Sequence, residues 1–224
     1  MIKAIVFDLD NTLADFIRTK ELCCSAAVSA MVEAGLPLSE KIALKKLMAL
    51  YWKQGIESQD IFQKFLEKEL KKIDYKILAS AIAAYRRTKA GNLMPYPAVR
   101  QTLLRIREKG LKTGIVSDAP KMQAWLRLAE MGLADFFDAV VAFEDTAEKK
   151  PSEKPFLAIT KKLGVNPDEV VFVGDDIQKD IAGAKKVGMK TCLAKYGVSK
   201  YTKTKKSIKA DFEINNFSEL LEKI

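Results

Sequence analysis

IKAIVFDLDNT, residues 2–12, joins a run of apolar, mostly β-branched and aromatic residues directly to a group of carboxylates and hydroxyl-bearing side chains. A near-continuous apolar run of this length suits a strand buried on both faces, and such strands belong to parallel sheets covered by helices. In an open parallel sheet, ligands bind beyond the carboxyl ends of the strands, where loops present polar groups. Asp8, Asp10 and Thr12 are therefore expected at such an edge.

Working outward, the pattern recurs. KTGIVS ends at Ser117 with Asp118 next, AVVAF precedes Glu144, and EVVFVG leads into Asp175; TCLA (191–194) and FEI (212–214) read as further short strands. Residues 97–109, 120–131, 152–163 and 178–188 read as the helices between them, with Gly110, Gly132, Gly188 and the Asn166–Pro167 pair where a helix stops or a turn begins. Right-handed crossovers then give an α/β fold with a doubly wound, Rossmann-like parallel sheet.

From about Asp15 to Gly91 this rhythm stops, and the pattern is helical throughout. Breaks at Gly35 and Pro37, at Gly55 and near Asp74 divide the interval into about four helices, and IFQKFLEKELKKI carries apolar residues at spacings of three and four. The expected organisation is a core domain of residues 1–14 and 92–224 with an all-helical domain, 15–91, inserted in it. The return, Asn92 to Pro97, is stiffened by two prolines.

Composition narrows the chemistry. A chain of 224 residues that is 48% hydrophobic can bury a sizeable core, and no stretch resembles a spanning helix or signal peptide, so a cytoplasmic protein is expected. Cys23, Cys24 and Cys192 cannot all pair within one chain, which suits a reducing compartment. Histidine is absent, which excludes His-based triads and His-ligated zinc and leaves acid–base work to carboxylates or lysines.

The strand-end clusters are DLDNT (8–12), Ser117 with Asp118, Lys150 within KKPSEKPF, and GDDIQKD (174–180). In that order they resemble the four signature motifs of the haloacid dehalogenase-like superfamily: DxDxT, an isolated serine or threonine, a lysine, and GDxxxxD. Each alone is a weak signal; four in sequence, each near the end of an expected strand, are a strong one. The resemblance implies a phosphatase of the branch with a helical type-one cap, the inserted domain being that cap.

The resemblance also implies roles. Asp8 would be the nucleophile, transiently phosphorylated; Asp10 the general acid and base; Asp8, the Asp10 backbone carbonyl and Asp175 the ligands of Mg2+, with Asp176 or Asp180 as a further acid that supports the metal or orients the lysine. Chemically this is coherent, because magnesium accepts oxygen ligands and makes a phosphoryl group vulnerable to a carboxylate. Thr12, Ser117, Asp118, Lys150 and the amides near Leu9 and Asp118 are the candidates to bind the phosphoryl group. In the insert, Arg18, Lys20, Tyr51, Trp52 and Lys53 are candidates for contacting substrate, although packing or a solvated charge is the simpler explanation of each.

The expected partner is a small phosphorylated metabolite, for a protein that is a monomer or homodimer and has no membrane association. Asp10 disfavours a dehalogenase, which lacks that second aspartate; a phosphomutase retains it and stays open as an alternative. Receiver domains carry a similar set of residues in the wrong order. A nucleic-acid-binding protein on a disused hydrolase core is the reading from another class, suggested by the charge: the net +9 lies in residues 181–210, with nine lysines and no acid. Several carboxylates around one mouth argue against nucleic acid. Lysines 195–206 follow the strand TCLA and are instead expected to concentrate anionic substrate at the catalytic edge.

Overall fold

The computed structural model describes residues 1–198 and 208–224. Six strands, β1 (Ala4–Phe7), β2 (Lys112–Val116), β3 (Ala139–Val141), β4 (Val170–Gly174), β5 (Lys190–Ala194) and β6 (Phe212–Ile214), form one sheet in the order β3-β2-β1-β4-β5-β6, with every pair parallel. The chain winds outward from β1 to β3, then restarts on the other side of β1 with β4. The winding direction thus reverses between β1 and β4, the point at which an α/β sheet opens a crevice.

Ten helices accompany the strands among the described residues: α1 (Phe16–Glu33), α2 (Glu40–Gln54), α3 (Ile61–Leu70), α4 (Tyr75–Asn92), α5 (Val99–Glu108), α6 (Lys121–Glu130), α7 (Phe143–Thr146), α8 (Glu153–Leu163), α9 (Ala182–Lys186) and α10 (Leu220–Lys223). Alternation along β1 explains why both faces of the sheet need cover. Ala4 and Val6 join a cluster with Phe156, Ile159 and Leu163 of α8 and Ala184 of α9. Phe7 points the other way, stacked on Phe217 at 5.6 Å and edge-on to Phe137 at 6.2 Å. A large apolar side chain buried this fully contributes about 1.5–3 kcal/mol, so the central strand is held from both sides.

The backbone divides into two units, Met1–Phe16 with Met94–Ile224, and Ile17–Leu93. The second is helical throughout, and its core gathers Met31, Leu47, Phe62, Phe65, Leu66, Ile77 and Ala81. In α3, Ile61, Phe62, Phe65 and Leu66 are the buried positions, the spacing of one helical face. Asp74 starts α4 by accepting hydrogen bonds from the amides of Lys76 and Ile77, which satisfies donors the helix leaves open. No helix among the described residues is long and apolar enough to cross a membrane. Cys23, Cys24 and Cys192 are buried and free, and burial pushes the Cys24 and Cys192 thiols up to about 12.

Of the nine lysines between residues 181 and 210, Lys200, Lys203, Lys205 and Lys206 lie outside the described residues. Lys185 pairs with Asp211 at 3.1 Å, Lys195 with Glu213 at 3.3 Å, and Lys186 donates to the Pro151 carbonyl at 3.3 Å.

Candidate active site

β1 sits between β2 and β4, and its last residue, Phe7, is level with Ile115 and Val173. The Asp8 amide donates to the Val173 carbonyl at 2.9 Å, so the strand ladder itself fixes the start of the DLDNT loop. The chain then turns sharply. Asn11 takes a left-handed conformation at φ 63°, which asparagine tolerates better than a branched residue, and its amide donates to the Ala14 carbonyl at 2.8 Å. The turn buries Thr12 completely and brings its hydroxyl to Asp175 Oδ1, 3.2 Å away at the tip of β4. Tyr196 covers the turn and donates its hydroxyl to the Thr12 carbonyl at 2.9 Å.

After β4 the two acids of GDD diverge. Asp176 accepts from the amides of Gln178 and Lys179 and so caps a turn of π-helix, Ile177–Ile181, that leads into α9. The wider turn carries Asp180 back under the strand end, where its Oδ2 accepts from the Asp176 amide at 3.0 Å. Gly174 makes room for it, since a Cβ there would lie 2.4 Å from the Asp180 carboxylate.

Lys150 enters from the loop before α8. Its Nζ lies 2.5 Å from Asp8 Oδ1 and 2.7 Å from Asp180 Oδ1, and its amide donates to Asp118 Oδ1 at 2.9 Å. Ser117, at the tip of β2, is held by its amide on the Val141 carbonyl at 2.9 Å, and its hydroxyl accepts from the Ala119 amide at 3.2 Å. Asp8, Asp175 and Asp180 each offer an oxygen within 4.8 Å of the others, and all three are buried.

Burying three carboxyl groups together has the expected electrical consequence. Burial, reinforced by Asp180 and Asp10 and opposed by Lys150, pushes Asp8 up to about 7. Asp175 is raised well above the usual carboxylate range by burial and by Asp8 and Asp180, and Asp180 is raised by burial against the pull of Lys150. For Lys150 burial opposes the charge, but Asp180, Asp8 and Asp118 outweigh it and hold the ammonium well above its ordinary value. Oxygen-only donors crowded in this way suit a hard cation.

Asp10 stands apart from that cluster. Its Oδ2 accepts from Arg127 Nη1 of α6 at 2.7 Å. Arg127 is the residue that the sequence reading missed. A signal existed: Ala124 and Leu128 on α6 and Met131 just after it are buried at helical spacing, and Arg127 falls on that same stripe, where a charged residue calls for a partner.

In the helical unit, Lys20 and Tyr51 do come together. The Lys20 ammonium lies 4.5 Å from the centre of the Tyr51 ring and 3.0 Å from the Tyr85 hydroxyl, and both Lys20 and Tyr51 are buried. Arg18, Trp52 and Lys53 are exposed.

A family model described as haloacid dehalogenase-like hydrolase matches residues 5–194, a span that contains every cluster above. A glyceraldehyde 3-phosphate phosphatase of Methanopyrus kandleri is 36% identical over 225 residues, covering 99% of this chain and 97% of that protein. A second protein of that name, from Pyrococcus furiosus, is 35% identical, with 99% and 92% covered. Among solved structures, a HAD phosphatase from Thermococcus onnurineus superposes with a TM-score of 0.70 at 28% identity, covering 99% of this chain and 97% of that one.

Proposed function

The chain belongs to the haloacid dehalogenase-like hydrolases, as a phosphatase, and from that membership we propose a magnesium-dependent reaction on a small phosphate monoester in which Asp8 attacks phosphorus. Asp8, Asp175 and the Asp10 backbone carbonyl would hold the ion, with Asp180 close enough to take part. Magnesium, when bound, would draw charge from the phosphoryl oxygens and neutralise the buried carboxylates.

The remaining chemistry belongs to side chains. An Asp8 oxygen forms a bond to phosphorus as the bond from phosphorus to the ester oxygen breaks, and Asp10 gives its proton to that departing oxygen. Asp10, now a carboxylate, takes a proton from a water whose oxygen attacks phosphorus. The bond to Asp8 breaks, inorganic phosphate leaves, and both aspartates return to their starting state. Lys150 favours the ionised form of Asp8 against the burial that raises it, and with Ser117 and the amides of Leu9 and Asp118 it would face the phosphoryl oxygens. Thr12, whose hydroxyl donates to Asp175, acts by orienting that carboxylate.

The observation that carries this reading is the buried Asp8 carboxyl group within 2.5 Å of an ammonium, beside two further acids at the sheet's switch point. For substrate we propose a short-chain phosphoester such as a three-carbon sugar phosphate, on the strength of the two glyceraldehyde 3-phosphate phosphatases. The helical unit would serve as a cap that admits it and excludes water.

Phosphate release from a panel of phosphorylated metabolites, with magnesium and with chelator, tests the reading. Activity on short-chain monoesters that disappears with chelator is expected, and Asp8→Asn should lower kcat by roughly 1,000-fold or more. A rate that Asp8→Asn leaves intact contradicts the nucleophile assignment.

A further inference from the structure

Arg127 lies outside the four clusters, yet it is 3% exposed, and an arginine is rarely buried unless a partner compensates for the lost water. For packing alone, leucine or methionine would fill the stripe formed by Ala124, Leu128 and Met131. Instead the guanidinium crosses to the DLDNT loop and donates to Asp10 Oδ2 at 2.7 Å, a short, charge-assisted bond. Its central carbon lies 4.3 Å from the centre of the Phe16 ring, within the range of a cation–π contact. Loop and helix are therefore joined through the one carboxyl group of DLDNT that stands apart from the buried acidic cluster.

We propose that Arg127 is a positioning residue for Asp10: it holds the carboxyl group in the orientation from which a proton reaches the ester oxygen. This rests on the acid–base role given to Asp10 above. The Asp10 side chain is 23% exposed, more open than that of Asp8 at 10%, whereas the Arg127 side chain that grips it is 4% exposed. A proton donor works only within hydrogen-bond reach of its acceptor, and small displacements are expensive in rate. A buried, planar, permanently charged group in contact with an aromatic ring is a suitable anchor for it.

The test exploits the leaving group. An alkyl phosphate must expel a basic alkoxide and needs the proton, whereas p-nitrophenyl phosphate expels a stable phenolate and does not. Because kcat/KM reports steps up to the first bond cleavage, the ratio of its values for the two esters isolates proton donation. Arg127→Met is expected to lower kcat/KM for glycerol or glyceraldehyde phosphate about ten-fold more than for the aryl ester, the pattern of Asp10→Asn in weaker form. Free guanidinium added to Arg127→Ala should restore part of the alkyl reaction selectively.

Arg127→Lys keeps the charge without the fork and carries the same comparison should the neutral variants fold poorly. Equal losses on both esters, or none, overturn the proposal even with Asp10→Asn discriminating as expected. If Asp10→Asn itself shows no preference between the esters, it is the acid–base reading of Asp10 that has failed.

Discussion

Asp8, Asp175 and Asp180 are taken out of water together, and the Lys150 ammonium offsets only part of the resulting repulsion. Because burial raises all three above the ordinary carboxylate value, the folded protein binds more protons than the unfolded chain between about pH 4 and the raised values, near 7 for Asp8. Their contribution to stability is therefore present at low pH and lost as pH rises through that range. Without magnesium, Asp175→Asn should raise Tm at pH 8 by about 2–4 °C, the shift expected for roughly 1 kcal/mol in a chain of this size. The gain should shrink towards pH 5. Adding magnesium should stabilise wild type and leave the variant almost unmoved. Thermal denaturation across pH checks this, and a lower Tm for the metal-free variant at pH 8 would show that the cluster is not repulsive. Single residues differ in how much of this the sequence discloses. Asp8 and Asp175 are legible because each directly follows an apolar strand, and Lys150 because it lies just before the helix that follows the third strand. Spacing favours Asp180 over Asp176 as the second acid of GDxxxxD, but only the π-turn decides that Asp176 caps while Asp180 points inward. Arg127 lies 117 positions from its partner, beyond the reach of any local pattern.

Strands and helices were the most legible features, because each is written in the periodicity of its own residues. All six strands fall on the expected apolar runs, and the interval without strands is four helices. Contacts between backbones leave no such trace. Lys195–Gly197, a short turn after β5, packs on the DLDNT loop so closely that a Cβ on Gly197 would lie 1.9 Å from the Asn11 carbonyl oxygen and 2.9 Å from Asp175 Cβ. Glycine is required there for closeness of approach. Gly197→Ala must push the turn away from the loop and carry Tyr196 with it, loosening its bond to the Thr12 carbonyl. We expect a folded protein whose kcat/KM falls roughly 10- to 100-fold, the cost of displacing reacting groups by a fraction of an ångström to an ångström. Steady-state kinetics beside circular dichroism checks it; full activity would mean that the turn plays no part in holding the loop.

For the whole molecule, what matters is that clusters scattered over 172 positions, from Asp8 to Asp180, converge because a parallel sheet returns every strand to the same edge. Neither insert nor lysine-rich segment supplies a residue to that convergence among the described residues, and the motifs that converge do not encode which phosphoester is taken. The central claim is that Asp8 becomes covalently phosphorylated. Asp10→Asn protein, mixed with magnesium and p-nitrophenyl phosphate, forms the intermediate without needing the proton and then cannot activate water to break it. Acid quenching, digestion and mass spectrometry should find one phosphoryl group on the peptide that begins the chain, at Asp8. Turnover with no covalent phosphate on any peptide, or with phosphate on a different residue, would contradict the account.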